Sequence, residues 1–434
     1  MSDIHSWLDE RWPAENFQSA RKVSEQKSYF VSDIGNSFRK IGHLSPPVNS
    51  SVYDSPTSPI EYSLDPTERP LVTSRVWLRD ACTCDRCVDP HSGQKRFGTA
   101  DIPRELPIQY LARDAAGNLE INWKQDFFTH DIHKSRYSVD IWRPSQQRPP
   151  IPDIRPWSAE TLTAESPFFP YESLMTDGTD YRNIMSTLNR WGIIFMQGVP
   201  AVEDAVEKMV QRLGYLQETF YGRTWDVVSK PNAENVAYTS GKLDFHQDLL
   251  YMRNFPRLQL LHCLANSARG GESIFCDGYR IGFQFAQLYA KSRNSLLGRK
   301  VNYSYIRGEH AYRQARMVLA KVGINWSPLF QDPIQPDLMT PEGLEKYNKW
   351  FVSIQRLKTL IENPLGTFKH RLQPGECVIF DNRRVLHGRH AFDPSSGERR
   401  LKGAYVDDDS YMSKLKSLNI LTTQNIDYQA RSGR

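Results

Sequence analysis

Leu243-Asp244-Phe245-His246-Gln247-Asp248-Leu249-Leu250-Tyr251 is the stretch that decides how this chain is read. His246 and Asp248 form a His-x-Asp pair inside an apolar, aromatic run. Residues i and i+2 of a strand share a face, so in a strand or at a strand end both side chains enter one cavity. An imidazole beside a carboxylate is two thirds of a 2-His-1-carboxylate facial triad, which leaves open positions on Fe(II). The remaining ligand has to come from far along the chain. Val378 to Arg389 offers it: a β-like run after the Pro374-Gly375 turn, ending in His387, with Gly388 allowing close backbone approach.

A lone His-x-Asp is also what a hydrogen-bonded core histidine looks like. The distal His387 on a second apolar strand, followed by an arginine on a third, weighs against that. The arginine lies in Glu398-Arg399-Arg400-Leu401-Lys402-Gly403-Ala404-Tyr405-Val406. A guanidinium there can grip a carboxylate bidentately. Iron, open positions and a carboxylate clamp together point to 2-oxoglutarate as co-substrate.

The 434 residues allow two domains, or one large domain with an extension. Hydrophobic content of 39% and charged content of 24% suit a globular chain. Aromatic content is high at 12%, enough to furnish a core and to line a pocket. The net charge of +5 is small and no dense Lys/Arg run occurs, so nucleic acid is not an expected partner. No apolar run is long enough for a membrane span. The acidic start, Met1-Ser2-Asp3-Ile4-His5-Ser6-Trp7-Leu8-Asp9-Glu10, resembles neither a signal peptide nor a transit peptide. A cytoplasmic location is the expectation, with a mitochondrial one left open. Six cysteines then read as thiols or metal ligands rather than as disulfides.

Residues 1–70 are weakly patterned, with loops at Ser45-Pro46-Pro47 and Ser55-Pro56-Thr57-Ser58-Pro59. A small β module is expected over 71–142, with strands at Val72 to Leu78 and Leu119 to Trp123. Residues 143–156, rich in Pro, Arg and Gln, read as a linker. The main domain is expected over 157–434. Its helices are read around Asp180 to Trp191, Val202 to Leu213, Tyr279 to Ala290, His310 to Val322 and Gly343 to Ile361. Its strands are read at Gly192 to Met196, Val236 to Thr239, Leu258 to Leu264, Ser273 to Cys276, Cys377 to Phe380 and Lys402 to Val406. A further helix is read past Asp407. Non-local strands with helical insertions suit a mainly β, α+β architecture built on a jelly roll.

Cys82-Thr83-Cys84-Asp85-Arg86-Cys87 places three thiols in six residues. Three thiolates with a fourth N or S ligand suit tetrahedral zinc, and His91, His130 and His133 are candidates. Such a closed site would hold together a module too small to be stable on its core alone. Cys263, Cys276 and Cys377 lie in apolar strands and read as core.

Trp77-Leu78-Arg79-Asp80-Ala81-Cys82-Thr83-Cys84-Asp85-Arg86-Cys87, Lys242 to Asp248, Gln259-Leu260-Leu261-His262-Cys263, Gly270-Gly271-Glu272-Ser273, Phe380-Asp381-Asn382 and Leu386-His387-Gly388-Arg389 occur in one order. In that order they resemble the gamma-butyrobetaine dioxygenases, within the taurine-dioxygenase-like Fe(II)/2-oxoglutarate oxygenases. The resemblance implies a double-stranded β-helix preceded by a small zinc-binding β domain. It implies iron ligands His246, Asp248 and His387, and zinc ligands Cys82, Cys84, Cys87 and His133. His133 is preferred because His133-Lys134-Ser135-Arg136-Tyr137 matches the family's stretch after a strand ending in Trp. Arg399 would hold the 2-oxoglutarate carboxylate, with Ser273 beside it and Arg400 on the opposite face.

The resemblance also implies an aromatic cage for a trimethylammonium group at Tyr221, Trp225, Tyr238 and Tyr405, with Asn235 near the substrate carboxylate. Cation–π attraction is the physical basis, since a quaternary ammonium has no hydrogen to donate. O2 is the other small-molecule partner, ascorbate a reductant, and a homodimer the implied assembly. Two departures stand out: Asn325-Trp326-Ser327-Pro328 replaces the family's Asn-Phe-Asn-Asn, and Leu249-Leu250 follow Asp248. The expected reaction is hydroxylation of a small trimethylammonium carboxylate, gamma-butyrobetaine to carnitine first in line. Trimethyllysine dioxygenase and a specialised-metabolism oxygenase with a changed substrate are the rival enzymes, and a non-catalytic metal-binding scaffold is the rival outside catalysis.

Overall fold

The computed structural model describes residues 59–62, 71–114, 117–138, 153–228, 239–320, 323–334 and 340–421. The expected loops before residue 59, the strand over Val236 to Tyr238 and most of the expected linker lie outside these residues. The chain divides into two compact units, one within Met1–Pro149 and one within Pro150–Thr422.

In the first unit, β1 (Ile60–Tyr62) pairs with β2 (Leu71–Thr73), and α1 (Arg75–Asp80) follows. The strand expected over Val72 to Leu78 therefore ends at Thr73. The reason is a cap: the Ser74 hydroxyl accepts from the Trp77 amide, and Arg75, Leu78 and Arg79 are buried at helical spacing. An antiparallel sheet then runs β3 (Ile108–Arg113), β4 (Leu119–Trp123), β5 (His133–Tyr137). Leu119, Ile121 and Trp123 alternate inward with His133, Ser135 and Tyr137, burying one face. Leu78, Leu106 and Phe97 complete that small core.

The second unit opens with α2 (Ala159–Glu165), β6 (Phe168–Pro170), α3 (Tyr171–Met175), α4 (Thr179–Trp191), β7 (Ile193–Gln197), α5 (Ala205–Leu213) and β8 (Thr224–Val228). Then come β9 (Leu243–His246), β10 (Leu258–Asn266), β11 (Arg269–Gly270), β12 (Ser273–Asp277), α6 (Gly278–Leu288) and α7 (Ala290–Leu297). A hairpin of β13 (Lys300–Arg307) and β14 (His310–Met317) precedes α8 (Pro341–Ile361). The chain closes with β15 (Phe368–His370), β16 (Cys377–Asp381), β17 (Val385–Arg389), β18 (Phe392–Asp393), β19 (Arg399–Val406) and α9 (Asp408–Ser417).

Two sheets form the body. One has the order β6-β7-β16-β10-β19-β8, the other β15-β12-β17-β9. The chain alternates between them: β9, β12 and β17 lie in the smaller, β10, β16 and β19 in the larger. That alternation is a jelly roll. Leu261, Cys263, Phe275, Phe380, Val385 and Leu401 fill the space between the sheets. On the other face of the larger sheet, Leu260, Ile379 and Val406 pack with Leu188, Val210 and Tyr411 from α4, α5 and α9. Inward and outward residues thus alternate along each strand, as a two-layer core demands.

One expectation fails outright. His310 to Val322 is not a helix; its first eight residues are β14, paired with β13 along their whole length.

Candidate metal and co-substrate site

β9 ends at His246, which sits directly opposite His387 of β17. Their ring centroids are 4.2 Å apart. The strands come this close because residue 388 has no side chain: a Cβ there would lie 2.5 Å from the Leu243 carbonyl oxygen. His246 Nδ1 donates to the Asp244 carbonyl at 2.9 Å, which leaves Nε2 as the free donor atom for a metal.

Asp248 is not on the strand. It lies in the turn after β9, where Leu249 takes φ +61°. Two side chains from outside the motif hold it. Asn382, in the turn between β16 and β17, accepts from the Asp248 amide at 2.8 Å and donates to the Asp248 carbonyl at 3.0 Å. Gln247 donates to the Asn382 carbonyl at 3.0 Å, while its own side-chain oxygen accepts from the Trp326 amide at 2.8 Å. The expected single run from Val378 to His387 is accordingly two strands, and the turn between them is a working part.

Asp248 Oδ1 lies 3.2 Å from His246 Nε2 and 3.9 Å from His387 Nε2. One donor atom from each of the three residues falls within 4.8 Å of the others. Burial penalises the Asp248 charge, but the His246 hydrogen bond and the nearby His387 outweigh it and hold the carboxyl well below its usual range. Burial, then the charge on His246, pushes His387 down to about 3. A half-buried carboxylate between two buried imidazoles is a donor set that fits Fe(II).

Arg399 and Arg400 begin β19 and point to opposite faces. Arg400 reaches Asp226 at 3.1 Å and also pairs with Glu203. Arg399 is buried at 6% exposure and its Nε has no hydrogen-bond partner. Among the described residues it meets no acid; its guanidinium lies 5.7 Å from the Phe392 ring. Burial, then the charges of Arg389 and Arg371, lowers it to about 10. Gly271 backs onto it, since a Cβ there would come 3.1 Å from Arg399 Nε. Ser273, two residues on, is buried at the start of β12 opposite Arg389. Arg389 is a residue that sequence reasoning passed over: buried, it donates to the Thr239 and Gly241 carbonyls at 2.6 and 2.7 Å.

Three of the expected cage residues are placed. Trp225 and Tyr405 stack with centroids 4.0 Å apart, and Tyr221 lies 6.4 Å from Trp225. Tyr405 donates its hydroxyl to Asp248 Oδ2 at 2.7 Å. Asn235 and Tyr238 lie outside the described residues. Gln259, to which the sequence alone assigns no role, sits between Phe380 and Tyr405 in register, buried, with its Oε1 lacking a partner.

In the first unit, Cys82, Cys84, Cys87 and His133 converge. His133 Nε2 lies 3.5, 3.8 and 3.4 Å from the three sulfurs in that order. β5 pairs His133 with Trp123, which explains the position. His91 and His130 stay outside the group. Arg79 donates to Cys87 Sγ at 3.1 Å and forms a two-point ion pair with Asp126 at 2.5 and 3.0 Å. The set fits a closed tetrahedral zinc site.

A facial triad on a jelly roll, with a buried unpaired arginine on the same body, defines an iron- and 2-oxoglutarate-dependent dioxygenase. The profile of the family described as Taurine catabolism dioxygenase TauD, TfdA family matches residues 153–405. Dioxygenase str8 of Strobilurus tenacellus is 31% identical over 370 residues, spanning 79% of this chain and 84% of that one. Gamma-butyrobetaine dioxygenase of Pseudomonas sp. (strain AK-1) is 30% identical over 352 residues, spanning 78% and 88%. The mitochondrial trimethyllysine dioxygenase of Bos taurus is 25% identical over 357 residues, spanning 80% and 82%. The chain belongs to the TauD/TfdA dioxygenase family. Among the described residues no helix is long and apolar enough to cross a membrane.

Proposed function

We propose that this dioxygenase hydroxylates a small trimethylammonium carboxylate, with gamma-butyrobetaine the first candidate. The observation that carries the reading is the stacked Trp225–Tyr405 pair, 4.0 Å between centroids, joined directly to Asp248. Electron-rich ring faces suit a cation that has no hydrogen to donate. Relatives named for gamma-butyrobetaine and for trimethyllysine favour the same substrate class.

In this reading His246, Asp248 and His387 hold Fe(II). Bound iron supplies the O2 chemistry that converts 2-oxoglutarate to succinate and CO2 and places one oxygen atom in a C–H bond. Every other task falls to the chain. Arg399 takes the distal carboxylate of 2-oxoglutarate, helped by the Ser273 hydroxyl, and thereby fixes its reach toward the metal. Asn382 and Gln247 keep Asp248 in place. Tyr221, Trp225 and Tyr405, with Tyr238 and Asn235, orient the substrate. Error of about 1 Å in that orientation is costly to the rate. Cys82, Cys84, Cys87 and His133 hold a structural Zn(II).

A second reading, an oxygenase of this type with a changed substrate, is favoured by Ser327. Its hydroxyl is buried without a partner in the segment where the family resemblance implies an amide. The deciding experiment loads the protein anaerobically with Fe(II), then admits O2 and follows succinate with and without gamma-butyrobetaine. One-for-one succinate and carnitine supports the first reading. Succinate that no betaine stimulates discards it, and other small cations and amino acids are then tried.

A further inference from the structure

Tyr405 has two neighbours that belong to different halves of the site. Its ring faces Trp225 at 4.0 Å, with 28° between the planes. Its hydroxyl reaches Asp248 Oδ2 at 2.7 Å. The backbone sets up both contacts. β8 and β19 pair Trp225 with Gly403, and a Cβ at 403 would come 2.3 Å from the indole. The indole therefore lies flat across Gly403 and meets Tyr405, the next inward residue of β19. Tyr405 is 2% exposed, so its ring and its hydroxyl are held by protein neighbours rather than by water.

The two oxygens of Asp248 are divided by this arrangement. Oδ1 faces His246 and His387, while Oδ2 is occupied by the tyrosine hydroxyl. A carboxylate held this way would turn Oδ1 toward a bound metal while the tyrosine engages Oδ2. One-oxygen ligation would leave more of the coordination sphere for 2-oxoglutarate and O2. Partners behind a metal ligand fix both its orientation and its donor strength.

We propose that Tyr405 is a positioning residue for Asp248, and that its stack on Trp225 makes occupancy of the substrate pocket felt at the metal. The second half rests on the reading of Trp225 and Tyr405 as the substrate-facing wall; the first does not. A cation settling on the ring pair shifts the stack, and the hydroxyl that restrains the carboxylate shifts with it.

Metal binding without any substrate tests the first half. Tyr405→Phe keeps the ring and its stack and removes one oxygen. Titrated anaerobically with Fe(II), it binds about tenfold more weakly than wild type. With Co(II) as the probe, its visible absorption spectrum differs from wild type because Asp248 Oδ2 is released toward the metal. Fe(II) affinity within twofold of wild type, with an unchanged Co(II) spectrum, overturns the proposal. Trp225→Leu tests the second half, since it removes the stack and keeps the hydroxyl. It retains wild-type Fe(II) affinity and, at gamma-butyrobetaine concentrations that calorimetry shows to saturate the variant, lacks the change that the compound produces in the wild-type Co(II) spectrum. If that change survives in Trp225→Leu, the coupling is wrong. A wild-type spectrum indifferent to gamma-butyrobetaine discards that compound, and the coupling with it. Weakened Fe(II) binding by Tyr405→Phe upholds the positioning role even then.

Discussion

Two buried arginines stand in the two units, and they are treated oppositely. Arg79, beside the Cys82-Cys84-Cys87-His133 cluster, is fully enclosed and matched by Asp126 in a two-point ion pair, with Cys87 as a further acceptor. Phe97 and Phe127 flank it at 4.9 and 5.2 Å. Arg399, on the jelly roll, is nearly as buried, yet among the described residues it has no acidic partner. An isolated buried charge is expensive, so one that a fold retains needs an anion from somewhere. Where the chain supplies it, as Asp126 does for Arg79, the charge is satisfied within the fold. Where the chain withholds it, as at Arg399, the proposed 2-oxoglutarate carboxylate would supply the anion from solution.

The metal clusters follow the same division. The sulfur-rich group closes on itself, while the triad offers three donors and leaves positions open. His246→Ala gives the largest expected effect: loss of iron-dependent succinate formation by more than ~10³-fold. Zinc content, measured on the same sample, should not change. Loss of zinc together with iron would break the division between the units. Next in size is Arg79→Ala, which strands Asp126 as a buried unpaired carboxylate and costs about 3–5 kcal/mol. The expected signature is early melting with zinc release. An Arg79→Ala protein that melts like wild type would show that the pair is not what holds the first unit.

Arg399→Met should behave in the contrary way. The Michaelis constant for 2-oxoglutarate rises about 100-fold, in line with losing charge-assisted hydrogen bonds of roughly 1.5–3 kcal/mol. Stability should stay level or rise, because a buried cation without a partner is replaced by an apolar chain. Thermal melting and 2-oxoglutarate saturation curves on the same preparation separate the two effects. A destabilised Arg399→Met would mean that the arginine has a structural role after all.

What could be read in advance follows from how local the cause is. The His-x-Asp spacing marked two members of the converging donor triad, and three cysteines within six residues marked the other cluster. The orientation of Asp248 could not be read. It depends on Asn382 and Gln247, and Asn382 is remote in sequence with no periodicity to tie it to the turn. His133 was separable from His91 and His130 only through family likeness, because its place is set by pairing with Trp123. The hairpin of β13 and β14 was misread although its turn carried a signal. Gly308 stands first of two turn residues, at φ +58°, between the paired Arg307 and His310. The strand pattern of β14 is masked because its residues are mostly half-buried and show no clean alternation.

The smallest expected effect is also the sharpest use of the comparison, because it concerns neighbouring residues of one strand. Arg400 follows Arg399, but the pleat turns it to the other face, where Asp226 and Glu203 meet it. Arg400 is partly exposed, so its ion pairs are screened and worth little. Arg400→Ala should therefore cost under about 1 kcal/mol of stability. Its Michaelis constant for 2-oxoglutarate should stay within twofold of wild type, roughly 0.4 kcal/mol. The measurement is the same saturation curve used for Arg399→Met. If Arg400→Ala instead weakened 2-oxoglutarate and Arg399→Met did not, the side chains would have exchanged roles. The absence of an acid beside a buried arginine would then no longer mark the co-substrate's place.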